Sequence, residues 1–176
     1  AIFQRTETIY RELLQNTEQP KSDAVKEHMQ RKLFPPMAYY KALRAKGIDQ
    51  DKALEYVRRE TRQAAAVKHG EMNKIARLPF AYTIYRMGVK KHMKKNFPEE
   101  GWKTEWIRCD SKEIHFDLHR CIYWDLSHRY GCPELCCVYC ENDDISFSGL
   151  LPKIRFERNG TLANGASCCD FHFIKS

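Results

Sequence analysis

The chain has 176 residues, of which 43% are hydrophobic and 12% aromatic, and its formal net charge is +7. The length favours one domain over two, and the apolar content excludes an intrinsically disordered chain. The longest apolar runs span only a few residues, which excludes a membrane-spanning helix, and the N-terminus lacks the apolar block of a secretory signal.

The first hundred residues carry apolar side chains at helical spacing, interrupted by proline and glycine. This pattern predicts five helices: one from Ile2 to the Gln19-Pro20 step, and others over residues 22–34, 37–46, 49–69 and 71–96. We expect Pro35-Pro36 to end the second helix and Gly70 to break the fourth. A kink is expected at Pro79 in the fifth helix.

After Gly101 the apolar spacing changes from 3.6 to 2, which predicts strands. The strands are expected at residues 102–109, 114–119, 154–162 and 168–174, with short helices at 121–130 and 133–141. The predicted fold class is therefore α+β, in one domain over residues 1–176. A helical N-terminal half (1–100) packs on an antiparallel sheet of about four or more strands (101–176), with helices inserted between its hairpins.

All eight cysteines lie at or after Cys109, and three of them fall between Cys136 and Cys140. A disulfide scaffold would spread its cysteines along the chain, so the pattern favours reduced thiols in a cytoplasmic protein. Structural zinc sites usually combine two pairs of cysteines, each pair separated by a few residues. This sequence has a single such pair, Cys137 and Cys140, with two residues between them. A bound metal is therefore the weaker alternative.

The positive net charge raises the question of nucleic-acid binding. Its densest run, KKHMKK at residues 90–95, is typical of a solvated helix end, and no glycine-rich loop or zinc-finger spacing accompanies it. We therefore expect neither a nucleic-acid nor a membrane partner. A positive field also favours a small anionic substrate.

The C-terminal stretch NGASCCDFHF, residues 164–173, has the pattern of a strand that carries two reactive residue types. Neighbouring side chains of a strand point to opposite faces, which gives two sets. One set is Cys168, Asp170 and His172, and the other is Cys169, Phe171 and Phe173. Cys169 is then either a small core residue or a thiol on a pocket wall.

Residues 34–47, 120–144 and 154–173 resemble the family named for L-2-amino-thiazoline-4-carboxylic acid hydrolase. The matching positions are Cys121 in an arginine-cysteine step, Cys140 and Asp143 in a cysteine-x-x-aspartate step, Gly165, and Cys169-Asp170-Phe171. The resemblance implies a hydrolase that opens a cyclic isothiourea to an N-carbamoyl amino acid thiol. Its substrate would be small, anionic and sulfur-containing.

The resemblance also implies a site in which thiols distant in sequence converge on one pocket. The catalytic candidates are Cys121, Cys140, Asp143, Cys169 and Asp170. The candidates for substrate binding are His119, Arg120, Arg155 and His172.

Three mechanisms remain open for this site. Cys169, slightly favoured over Cys140, attacks as a thiolate without any cofactor, or Asp143 or Asp170 activates water. In the third mechanism, Cys121, Cys140 and Cys169 hold zinc or another divalent metal that generates hydroxide. The alternative function is a non-enzymatic module that binds a small ligand or a metal, as a sensor does, through the same thiols.

Overall fold

Helices fill the first half of the chain, and strands enter only in the second half. The computed structural model describes residues 1–176. The first half contains α1 (Ile2–Asn16), α2 (Asp23–Glu27), a π-helical segment (His28–Leu33), α3 (Phe34–Ala45), α4 (Gln50–Ala76) and α5 (Ala81–Asn96). The second half contains β1 (Trp102–Cys109), β2 (Glu113–Cys121), α6 (Ile122–Arg129), α7 (Cys136–Phe147), β3 (Ile154–Glu157) and β4 (Cys169–Lys175), with 3-10 turns at Pro133–Leu135, Ser148–Leu150 and Leu162–Asn164.

Two of the predicted helix breaks are wrong. The chain stays helical from Asp23 to Ala45: a π-helical segment ends at Leu33, and Pro35-Pro36 follows it in the first turn of α3. α4 likewise continues through Gly70 to Ala76, since one glycine in a helix costs only about 1 kcal/mol relative to alanine. At Pro79 the chain breaks fully instead of kinking, and Phe80 enters α5 with a left-handed φ of 58°.

The four strands form one antiparallel sheet in the order β1-β2-β4-β3, so the predicted α+β class is confirmed. β3 ends at Glu157, five residues earlier than predicted. Burial alternates along β4 as expected: Cys169, Phe171 and Phe173 are buried on the inner face, which packs against helices. On that face the Phe116 and Phe171 rings stack with centroids 5.0 Å apart, so aromatic packing ties the two central strands together.

A β-bulge in the second strand changes the direction of Cys121. Thr104 pairs with Leu118 and Lys103 with Arg120, which leaves His119 without a partner in the ladder. Strict alternation would place Cys121 on the same face as His119. The extra residue resets the register, so that Cys121 lies opposite the buried Trp102, on the inner face.

Helices from both halves of the chain cover the inner face of the sheet. The rings of Tyr85 in α5 and Phe147 in α7 lie 5.2 Å and 5.0 Å from the ring of Phe173. α4 packs against α7, and one cluster of 31 buried hydrophobic residues reaches from Ile9 to Phe173. None of the helices combines the length and the apolar character that crossing a bilayer requires.

Gly149 marks the closest approach between α4 and the turn that follows α7. A Cβ atom built on Gly149 would lie 2.2 Å from the carbonyl oxygen of His69 and 3.1 Å from the Cβ of Met72. The first of these neighbours is backbone of a long helix and cannot rotate away. The contact therefore requires a residue without a side chain.

We expect Gly149→Ala to lower the free energy of unfolding by about 1–3 kcal/mol, because the helix and the turn must separate to admit the methyl group. The matched control is Gly70→Ala, which lies in α4 with nothing within 4 Å of the added Cβ. This second change should raise stability by about 0.5–1 kcal/mol through helix propensity. Urea unfolding of both variants measures the difference, and equal stabilities would contradict this account of Gly149.

Candidate active site

The candidate site lies where the end of β2, the start of β4 and helix α7 meet on the inner face of the sheet. α7 contributes Cys140 and Asp143, which share one side of the helix at a spacing of three residues. The bulge turns Cys121 toward them, and strand alternation turns Cys169 toward them. Charges on these groups influence one another's pKa, so the structure brings the three thiols and the acid into one neighbourhood.

Cys140 is the thiol in this neighbourhood whose pKa is lowered. The main cause is the neighbouring Cys136 thiol, one turn earlier in α7, which stabilises the Cys140 thiolate. Burial and Asp143 act in the opposite direction, and the guanidinium of Arg158 again lowers the pKa. Cys140 is also more accessible than Cys169, so it combines thiolate character with access.

Cys121 and Cys169 are held mainly in the neutral thiol form. Burial raises the pKa of Cys169 to about 11, although its sulfur accepts a hydrogen bond from the Leu162 N–H at 3.2 Å. Burial also raises the pKa of Cys121 to about 12. Cys121 is the residue that precedes α6, and the first amide groups of that helix oppose this shift only partly.

Arg158 is the cation of the site. Its side chain is only 6% exposed and donates to the Cys140 carbonyl at 2.9 Å, to Asp144 at 3.1 Å and to Asp143 at 3.4 Å. The guanidinium also lies over the Phe171 ring, 5.3 Å from its centroid. These contacts fix a positive charge beside Cys140.

Cys140, Asp143 and Arg158, with Cys121 and Cys169 beside them, form the group of side chains that we call the recess, and Asp143 is its half-buried acid. Burial raises its pKa to about 6 against the opposing effects of Arg158 and Lys68, and yet 45% of its side chain is accessible. Tyr85 and Tyr123 show the same combination, because burial raises the pKa of each phenol although both residues are only half-buried. Asp143 is thus the partly exposed acid of this group, beside an Arg158 side chain that is almost fully buried.

The sulfur atoms of Cys121, Cys140 and Cys169 do not all lie within 4.8 Å of one another. Three thiolates on one zinc ion, with zinc–sulfur bonds of about 2.3 Å, require sulfurs within about 4 Å of each other. The three thiols do not fit that geometry as they stand. We therefore derive no chemical step through a metal at this position.

The other predicted site residues lie away from the recess. His119, Arg120 and Arg155 are exposed or half-exposed, and they pair with Glu105, Asp125 and Glu157 respectively. Asp170 and His172 lie on the outer face, on the opposite side of β4 from Cys169. Asp170 accepts hydrogen bonds from the backbone N–H groups of Asn159 and Gly160, which hold the loop after β3 in place.

Sequence reasoning missed Arg158, Cys136 and Lys68. Arg158 was detectable, because it continues the alternation of Ile154 and Phe156 onto the inner face just after β3 ends. Cys136 lies one turn before Cys140 in the same helix, a spacing that the sequence itself shows. No sequence pattern indicates Lys68 as a site residue, because only the packing of helices brings the middle of α4 near Asp143.

The fold and these side chains define an α+β protein with several thiols, an acid and an arginine grouped on the inner face of its sheet. Residues 26–173 match the family of L-2-amino-thiazoline-4-carboxylic acid hydrolase, and the chain belongs to that family. Neither a curated protein nor a solved structure matches the chain.

Proposed function

We propose that the protein hydrolyses a small cyclic isothiourea that carries a carboxylate, such as 2-aminothiazoline-4-carboxylate, to an N-carbamoyl amino acid thiol. The observation that carries this proposal is the meeting of Cys140, Asp143 and Arg158 at one accessible recess, with Cys121 and Cys169 beside them. Family membership supplies the reaction class.

In the first step, the Cys140 thiolate attacks the ring carbon that lies between nitrogen and sulfur in the protonated substrate. A bond forms between this carbon and the Cys140 sulfur, and the ring carbon–sulfur bond breaks. The ring sulfur leaves as a thiolate, and Arg158 stabilises its negative charge. The product of this step is an isothiouronium group on Cys140.

In the second step, water attacks the same carbon, and the Asp143 carboxylate accepts one of its protons. A carboxyl group with a pKa of about 6 suits this role near neutral pH. The carbon–sulfur bond to Cys140 breaks, the other proton of water reaches the product thiolate, and a urea carbonyl remains. Cys140 returns as a thiolate, and Asp143 releases its proton to solvent.

Lys68 is the proposed partner of the substrate carboxylate. It lies close enough to Asp143 to lower that residue's pKa, and its ammonium group forms no ion pair or hydrogen bond within the protein. Arg158, by contrast, is already shared among Asp143, Asp144 and a carbonyl group. Lys68 is therefore the cation left to hold a carboxylate at the recess.

The proposal is tested by incubating the purified protein with 2-aminothiazoline-4-carboxylate in ¹⁸O-labelled water and identifying products by mass spectrometry. We expect N-carbamoyl-cysteine with one ¹⁸O atom in its carbonyl group. The control substrate is thiazolidine-4-carboxylate, which lacks the amidine carbon and should remain intact. Saturable binding of the thiazoline without turnover would contradict the hydrolase and support the non-enzymatic ligand-binding alternative.

A further inference from the structure

A second group of metal-ligating side chains lies on the outer face of the sheet, away from the recess. Glu113, His115 and His172 each place one ligand atom within 4.8 Å of those of the other two. All three are half-buried. β2 supplies Glu113 and His115, and β4 supplies His172, so the group joins the two central strands.

The strand pairing fixes the two imidazoles side by side. His115 and His172 are directly opposite in the β2–β4 ladder, and their rings stack with centroids 3.9 Å apart at an angle of 24°. The strand register therefore brings two potential imidazole ligands to one place on the outer face.

Hydrogen bonds orient the two rings in the same way. The Nε2 atom of His115 lies 2.9 Å from Asp117, and the Nε2 atom of His172 lies 3.0 Å from Asp170. A carboxylate on one ring nitrogen fixes the tautomer and leaves the other nitrogen for a metal, a common arrangement around protein-bound zinc. The Nδ1 atom of His115 is left over, whereas the Nδ1 atom of His172 faces Glu113.

The contact between His172 and Glu113 contains the proton that a metal ion would replace. The Nδ1 atom of His172 lies 2.7 Å from Glu113, a distance that requires one shared proton, whereas the Nδ1 atom of His115 makes no hydrogen bond. A metal ion that took the place of this proton would receive the Glu113 carboxylate and both Nδ1 atoms. Two imidazoles and a carboxylate form a familiar ligand set for divalent transition metals.

The surrounding charge also favours a cation, although the whole chain is basic. The outer face around the two histidines carries more acidic than basic side chains: Glu105, Glu113, Asp117, Glu157 and Asp170 against Arg108 and Arg155. Arg108 pairs with Asp110 and, at 3.3 Å, with Glu113, and Arg155 pairs with Glu157. The local field therefore attracts positive charge on a protein whose net charge is +7.

We propose that Glu113, His115 and His172 form a binding site for a divalent transition metal that clamps β2 to β4 on the outer face of the sheet. The site is separate from the thiol recess and takes no part in the hydrolysis proposed above. Its effect is on stability, since a ligand that binds only the folded chain raises the melting temperature.

The test is titration of the reduced protein, without substrate, with Co²⁺ as the metal probe. We expect one equivalent to bind with a visible spectrum of nitrogen and oxygen ligation, and without the strong near-ultraviolet band that thiolate ligands produce. Saturating Co²⁺ should raise the melting temperature by about 5 °C.

His115→Gln and His172→Gln should each weaken Co²⁺ binding at least tenfold and remove the rise in melting temperature. The matched control is His119→Gln, which alters a histidine of the same strand that belongs to the other such group on this face, with Glu105 and Asp117. This control should bind Co²⁺ within twofold of the unaltered protein. Circular dichroism checks that each variant is folded.

Three results would overturn the site: no binding at 100-fold excess of Co²⁺, a spectrum dominated by thiolate ligation, or loss of binding in the His119 control with retention in the other two. None of these results bears on the hydrolase proposal, because no substrate is present. Failure of hydrolysis likewise leaves the metal titration unchanged.

Discussion

Cys140→Ser is expected to lower kcat for ring opening by at least about 10³-fold, because a serine hydroxyl is not ionised beside Arg158 and cannot replace the thiolate. The protein should remain folded, since the oxygen occupies less space than sulfur at a half-buried position. Steady-state kinetics with 2-aminothiazoline-4-carboxylate measures the loss. Cys109→Ser, at the end of β1, is the matched control and should retain full activity.

The variant Cys169→Ser distinguishes Cys140 from Cys169 as the nucleophile. With its pKa raised to about 11, Cys169 is a neutral thiol that lines the recess, and its replacement should reduce kcat less than tenfold. Alkylation by iodoacetamide at pH 7, followed by peptide mass spectrometry, gives an independent order of reactivity. Cys140 should react first. Faster alkylation of Cys169, together with an inactive Cys169→Ser, would reverse the assignment.

Asp143→Asn is expected to lower kcat by about 10²–10³-fold, because the amide cannot accept a proton from the attacking water. The same change should alter the dependence on pH. In the unmodified protein, kcat should rise with pH as the Asp143 carboxyl ionises at about pH 6, and fall about tenfold for each pH unit below that value.

The ascending limb near pH 6 should be missing from the Asp143→Asn profile. The charged and titratable groups around Asp143 are Arg158, Lys68, Asp144, Tyr85, Tyr123, Cys140 and Cys169, and of these Cys140 is the other group whose ionised form the reaction requires. The pH dependence of Cys140 alkylation, measured on the same variant, separates the two ionisations. If the ascending limb of the kcat–pH profile persists unchanged in Asp143→Asn, it belongs to the ionisation of Cys140. That result would contradict the proposed role of Asp143.

The ends of several elements could be read from the sequence because they depend on local interactions. Asp49 opens α4 as expected, and its carboxylate accepts a hydrogen bond from the Lys52 N–H at 2.9 Å. The effects of Pro35-Pro36 and Gly70 could not be read in this way, because packing of the flanking turns decided whether helix continued through them.

The same distinction between local interactions and packing applies to the candidate site. Alternation in β4 alone placed Cys169 with Phe171 and Phe173, as the structure confirms, and it placed Asp170 and His172 on the other face. Arg120 and Arg155 were the arginines predicted near the thiols, although the alternation of Ile154 and Phe156 would have placed Arg158 on the inner face. Arg158 holds that position because its guanidinium finds two carboxylates, a carbonyl group and an aromatic face within the fold.

The sequence by itself determined the α+β class, the segregation of the cysteines into the second half of the chain, and the two faces of β4. Each of these follows from composition or from apolar side chains spaced every 2 or 3.6 residues. Such a spacing is complete within a short stretch of the chain. Tertiary structure alone decided that the bulge at His119 turns Cys121 inward, that Arg158 and Lys68 approach Asp143, and that His115 stacks on His172. These depend on strand register and helix packing between residues far apart in the chain, where the free energy of one contact depends on all the others.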